Sequence, residues 1–121
     1  MIIKVIDGLF SISKVSSLDN IDLNTEFIFV SKTDYEISIV HKNSYILKNV
    51  IEKEKDYRCF RINGKLDFSL IGIISKISKI LADNNISIFV ISTFDTDYFL
   101  VKDLNYDKTV EILKKNDYKI E

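Results

Sequence analysis

The sequence predicts an α+β fold in which a βαββαβ order appears once cleanly and once as a degenerate copy. Three observations carry this. Residues 57–121 read in turn as strand, helix, hairpin, helix and strand. The apolar spacing switches from three or four residues in the helices to two in the strands. The run Phe27-Ile28-Phe29-Val30-Ser31 is echoed by Ile88-Phe89-Val90-Ile91-Ser92, which suggests an internal duplication although residue identity between the halves is slight.

In the first half, Leu9 to Val15 reads as a strand of period two with imperfect polarity. A polar turn from Ser16 to Asn24 leads to two apolar runs, Glu26 to Ser31 and Glu36 to His41, separated by a hairpin-length loop and expected to pair antiparallel. From Lys42 to Asp56 the pattern weakens to a few apolar residues among charges, which reads as a short helix or turn. In the second half Arg58 to Asn63 forms a strand and Leu70 to Asn84 a helix, with Leu70, Ile74, Ile77 and Leu81 on one stripe widened by Ile73 and Ile80. Asp67 or Ser69 can cap that helix, and Asn84 or Asn85 can end it in a left-handed residue. Gly72 falls inside it at a cost of about 1 kcal/mol relative to Ala, which points to a close backbone approach. Ile86 to Thr93 and Asp97 to Lys102 make a hairpin, Tyr106 to Asn116 a helix and Tyr118 to Ile120 a terminal strand.

Composition narrows the function. With 121 residues, 46% of them hydrophobic, the chain can bury one good core or two small joined ones. The formal net charge is −1 and the cations are interspersed with Asp and Glu, so no electrostatic footprint for nucleic acid is present. No run approaches the roughly 20 apolar residues of a membrane helix, and the Met1-to-Lys4 opening is too short and wrongly ordered for a signal peptide, so the cytoplasm is the expected compartment. One cysteine, Cys59, and one histidine, His41, make neither an intrachain disulfide nor a zinc site by themselves. No cofactor is implied, since Gly8, Gly64 and Gly72 form no nucleotide loop. Without proline or a Gly/Ser linker the halves, 1–56 and 57–121, should meet at a seam near Asp56.

The run from Arg58 to Ser69 (RCFRINGKLDFS), the Gly72-Ile73 pair, and the run from Ser92 to Lys102 (STFDTDYFLVK) resemble small bacterial tandem-ACT proteins related to the cytosolic arginine sensors called CASTOR. The match is dense in the second half and looser in the first, through EFIFVSKT (Glu26 to Thr33) and EISIV (Glu36 to Val40). The resemblance implies two tandem ACT-like units of ferredoxin-like fold, with antiparallel sheets and helices on one face. It implies an amino-acid ligand between ACT units, held at Thr93, Phe94, Asp97 and the turn from Leu66 to Ile71. Arginine-binding relatives place an acidic residue in the opening turn of the helix, where this chain has Leu70 and Ile71. Relatives carry four ACT units in one chain, so two units here imply a homodimer.

The residues themselves offer the same two segments. Around Asp67, Phe68, Ser69, Leu70 and Ile71, a helix N-terminus presents free N–H groups to a carboxylate while Asp67 can receive an ammonium; the plainer reading is an ordinary cap. At Thr93, Phe94, Asp95, Thr96 and Asp97, two carboxylates and two hydroxyls share one loop with an aromatic wall. Asp-Thr-Asp is also good turn chemistry, so Asp95 is read as turn-forming and Asp97 as ligand-facing. Cys59 reads as a buried inert thiol and His41 as a solvent-facing edge residue. Lys114 and Lys115 suit the macrodipole, and Tyr57, Tyr98, Tyr106 and Tyr118 suit core and hairpin packing. Nothing places a nucleophile beside the sole histidine, so no catalytic residue is expected. The sequence therefore predicts a non-enzymatic sensor that binds a small amino acid at a mutual or dimer interface and can act on a protein partner. The alternative is an interaction or dimerisation module with a vestigial pocket.

Overall fold

Two long strands organise the chain: β1 (Ile2–Val15) and β4 (Val50–Ile62). The computed structural model describes residues 1–63 and 72–121. The other elements are β2 (Phe29–Lys32), β3 (Ile37–Lys42), α1 (Ile73–Ala82), β5 (Phe89–Ser92), β6 (Asp97–Lys102), a 3₁₀ turn (Asp103–Asn105), α2 (Tyr106–Lys115) and β7 (Lys119–Ile120). The chain divides into two compact units: Met1–Asp7 with Arg58–Glu121, and Gly8–Tyr57. Both long strands contribute a stretch to each unit. Left-handed residues mark the crossings, Gly8 (φ 92) in β1 and Asp56 (φ 68) in β4.

The unit of Arg58–Glu121 holds the βαββαβ order. Its strands run β7-β1-β4-β6-β5, so the N-terminal stretch of β1 lies between the first and last strands of that order. β1 meets β7 in parallel, Ile2 opposite Lys119 and Ile3 opposite Ile120, and meets β4 through the Asn63 N–H on the Ile2 carbonyl at 2.9 Å. Helix α1 forms where its apolar residues recur at helical spacing, and it buries Ile77 and Leu81. Helix α2 buries Thr109 and Leu113. Ile77, Leu81 and Leu113 close over Ile3, Phe60, Ile62, Phe99 and Val101. Both helices end on the same device: Asn85 (φ 60) and Asp117 (φ 69) turn left-handed, letting the N–H groups of Ile86 and Tyr118 reach back to Leu81 and Leu113 at 2.9 and 3.1 Å. The last turn of α2 carries Lys114 and Lys115, of which Lys115 also pairs with Glu111 at 3.0 Å.

Gly72 departs from expectation. It is the N-cap of α1, with φ 82, and a Cβ there would meet nothing within 4 Å. Its role is backbone conformation and not close approach. The cap readings at Asp67 and Ser69 lie outside the described residues.

The unit of Gly8–Tyr57 is all strand, in the order β2-β3-β1-β4. The predicted hairpin is present, with Phe29 opposite Val40 and Lys32 opposite Ile37, and β3 pairs antiparallel with β1 from Phe10–Lys42 to Val15–Ile37. Two expectations are corrected. The strand read from Leu9 starts at Ile2, and Val50 to Asp56, read as part of a short helix or turn, is the first half of β4. Residues 50–56 of that strand are exposed throughout, so their sequence has no buried face to produce an alternation. With no helix in residues 8–57, the βαββαβ order is present once in the described chain and not twice.

Gly8 permits a direct test of the crossing in β1. A Cβ there would come no nearer than 3.8 Å to the Lys42 side chain, so the cost is backbone strain alone. Gly8→Ala is expected to lower stability by about 1 kcal/mol in urea unfolding; an unchanged midpoint would mean that β1 passes Asp7 without needing the left-handed residue.

Among the described residues no helix is long and apolar enough to cross a membrane. None of their His, Cys, Asp and Glu side chains cluster in groups of three or more that could hold a metal.

Candidate functional site

Four residues join β5 to β6: Thr93, Phe94, Asp95 and Thr96. Threonine chemistry closes this turn. The Thr93 N–H donates to the Thr96 carbonyl at 2.8 Å, the Thr93 hydroxyl donates to the same carbonyl at 2.9 Å, and the Thr96 N–H reaches the Thr93 Oγ1 at 3.4 Å. Phe94 and Asp95 are exposed at the tip, Phe94 by 74%. At the mouth of the hairpin, Ser92 stands opposite Asp97, and the Ser92 hydroxyl donates to the Asp97 carboxylate at 2.5 Å.

Thr96 is the structural pin. Buried within the turn, its hydroxyl donates to the Ile62 carbonyl at 2.5 Å. Ile62 is two residues ahead of the 64–71 segment, which contains the predicted Asp67, Phe68, Ser69, Leu70 and Ile71. Those five lie outside the described residues. Of the predicted set, the structure thus places Thr93, Phe94, Asp95, Thr96 and Asp97 in one turn and ties that turn to the end of β4. Sequence reasoning missed Ser92 and the Ile62 carbonyl. Ser92 was recoverable, because it and Asp97 flank a four-residue loop and must face each other across the hairpin.

Cys59 is fully buried in β4, and burial pushes its thiol up to about 12 against a weaker opposing pull from Arg61. It therefore stays protonated and unreactive at neutral pH, as expected. Tyr106 stacks on Phe60 with ring centroids 5.8 Å apart, and the Arg58 guanidinium lies 3.8 Å from the Tyr106 centroid. Arg58 also meets Asp103 at 3.4 Å in a partly exposed pair, a geometry worth little by itself. Its Nε is buried without a hydrogen-bond partner. Tyr118 packs against the core.

The other unit holds a second turn of the same build. The Thr33 N–H donates to the Glu36 carbonyl at 3.0 Å, and Thr33 Oγ1 accepts from the N–H groups of Tyr35 and Glu36, both at 3.1 Å. His41, read as solvent-facing, is 2% exposed. Its Nε2 is 2.8 Å from the Ser13 hydroxyl, a pairing 28 residues apart in sequence that no local pattern announces.

The model of the family described as ACT domain matches residues 52–115, more than half of the sequence. The chain belongs to the ACT-domain family. Its α+β architecture with antiparallel strand pairing is that of an ACT-type domain, and ACT domains generally bind small ligands such as amino acids in regulatory proteins. A crystal structure of a protein from Agobacterium tumefaciens is similar over 99% of this chain and 91% of its own, with TM-score 0.86 and 29% identity. A Vibrio cholerae protein of unknown function, titled a possible transport protein, matches over 92% of this chain and 85% of its own with TM-score 0.70 and 16% identity. The aspartate kinase of Clostridium acetobutylicum, titled an allosteric enzyme, matches over 91% of this chain but only 33% of its own, with TM-score 0.63 and 13% identity. The last two likenesses show the fold alone. No curated protein matches the sequence.

Proposed function

We propose that this ACT-domain protein is a non-enzymatic, cytoplasmic regulatory module that binds a small amino acid where two ACT surfaces meet in a homodimer. The observation that carries the reading is the turn from Thr93 to Asp97: hydroxyl and carboxylate groups gathered in an ACT domain and pinned through Thr96 to the end of β4. Thr93 and Asp97 would hold the ligand's polar groups, Phe94 would wall it, and residues 67–71, which precede α1 in the chain, would complete the site. The likeness of RCFRINGKLDFS and STFDTDYFLVK to arginine-sensor ACT units supports the amino-acid class. Ligand binding would favour one packing of the dimer, and its effect on a protein partner is bounded by the difference in affinity between packings.

The two-unit reading belongs to the same proposal, with residues 8–57 as a copy that has lost its helices. Its support is the hairpin. β2 and β3 repeat β5 and β6 at a constant offset: Phe29 and Phe89, Thr33 and Thr93, and Ile39 and Phe99 take matching places. The strand order β4-β1-β3-β2 is also that of a βαββαβ sheet read fourth, first, third, second.

A second reading, an interaction module with a vestigial pocket, rests on the exposure of Phe94 and of Tyr35 (85%) at the two turns. One experiment separates the readings: thermal unfolding against each common amino acid at millimolar concentration. A ligand specific to the native state is expected to stabilise it by about 2.7 kcal/mol at a hundredfold excess over its Kd, and Asp97→Ala should abolish the shift. If no amino acid moves the transition of a folded sample, the sensor reading fails and the interaction reading stands.

A further inference from the structure

The hairpins of the two units differ sharply at one matched place. Eight residues beyond its turn threonine, the Arg58–Glu121 unit has Val101, a member of its hydrocarbon core, whereas the Gly8–Tyr57 unit has buried His41. The imidazole is held on three sides. Its Nδ1 is 2.9 Å from the Lys42 carbonyl, which can only accept, so Nδ1 carries the proton and Nε2 is the lone-pair nitrogen that receives the Ser13 O–H. The Tyr45 ring lies edge-on at 6.2 Å between centroids. The same Lys42 carbonyl takes the Tyr45 N–H at 3.0 Å, and the Tyr45 hydroxyl accepts the Asp22 N–H at 2.9 Å. The ring thus sits beneath the connection 43–49 and, through Tyr45, beneath the segment around Asp22.

We propose that the Ser13–His41 pair is a pH-sensitive latch: with the imidazole neutral it ties β1 and β3 to the connection 43–49, and on protonation it releases that connection. A proton on Nε2 makes both ring nitrogens donors, so the Ser13 hydroxyl must turn from donor to acceptor. The new charge is also buried, away from water. The charged groups around the ring do not relieve it. Lys53 of β4 acts on it as a like charge. Asp56, further along β4, is engaged by the Asn43 amide at 2.8 Å. Asp22 meets Tyr45 through its backbone, and the Lys42 ammonium lies over Phe27 at 5.6 Å. Burial, aided by Lys53 and opposed by the backbone bonds, holds the imidazole below its ordinary value of 6.5. The sign follows: the unfolded chain takes the proton first, so the contribution of His41 is complete above pH 6.5 and is lost as the pH falls toward the folded-state value.

His41 is the sole histidine, so its ring titration is assigned without ambiguity. The test is amide hydrogen exchange from about pH 8 to about pH 5, corrected for intrinsic rates, beside an NMR titration of the ring. Protection of residues 43–49 is expected to fall by up to about tenfold per pH unit below the unfolded-state value while amides of α2 hold, and in His41→Gln the fall should vanish. Wild-type protection that stays flat, or a glutamine variant that shows the same fall, overturns the latch. Should the glutamine variant not fold, the wild-type ring decides: its titration midpoint must lie below 6.5 and the loss of 43–49 protection must follow the ring's protonation, and a midpoint at or above 6.5 overturns the proposal.

Discussion

Phe60→Ala is expected to remove about 3–5 kcal/mol of stability. Phe60 is fully buried at the centre of a stack that alternates between elements. Its ring lies 4.9 Å from Phe99 of β6 at an interplanar angle of 7°, and 5.8 Å from Tyr106 of α2 at 22°. The Arg58 guanidinium lies over the Tyr106 ring at 3.8 Å from its centroid. Truncation removes the transfer energy of a phenyl ring, opens a cavity bounded by β4, β6 and α2, and forfeits two aromatic contacts worth about 0.5–1.5 kcal/mol each beyond their area. Urea unfolding should show a lower midpoint with the slope unchanged. A loss below about 1 kcal/mol would mean that the site collapses around the gap and that the stack does not join the helix to the sheet.

Thr96→Val is expected to cost about 1–3 kcal/mol, although the side chain keeps its shape, because it leaves the buried Ile62 carbonyl without its donor. The turn keeps its Thr93 bonds but loses its tie to β4, so exchange of the turn amides should quicken more than that of β5 or β6. Thr93→Ala is expected to cost less, about 0.5–1.5 kcal/mol, since the backbone bond from Thr93 to Thr96 survives it. If Thr96→Val is as stable as the wild type, Ile62 finds another partner and the pin is not what positions the turn. Should the ligand screen yield an amino acid, Thr96→Val ought to weaken its binding without touching Asp97.

Much of this was legible because it is local. The stripe of α1, its left-handed exit at Asn85, the presence of α2 and the two hairpins all follow from residue types within a few positions of each other. So does the inert character of Cys59 in an apolar strand. The polar content of the 93–97 turn could be read, and so could its threonines and aspartates as turn formers. The link from Thr96 to Ile62 could not, because it joins residues 34 positions apart.

Three of the misreadings share one cause. Val50 to Asp56 carries charges on both faces because both faces meet water, so its strand left no alternation to read. Ser11 and Ser13 blurred the polarity of β1 because they face inward to Asn43 and His41. His41 looked like an edge residue because its burial depends on β1 lying beside β3 in one register, with Ser11 opposite it and Ser13 two residues along. Local propensity and periodicity determined the helices, the hairpins and the chemical character of the candidate turn. The tertiary structure alone decided which polar groups are buried and with whom they pair, because a hydroxyl or an imidazole can leave water only where long-range strand pairing delivers its partner.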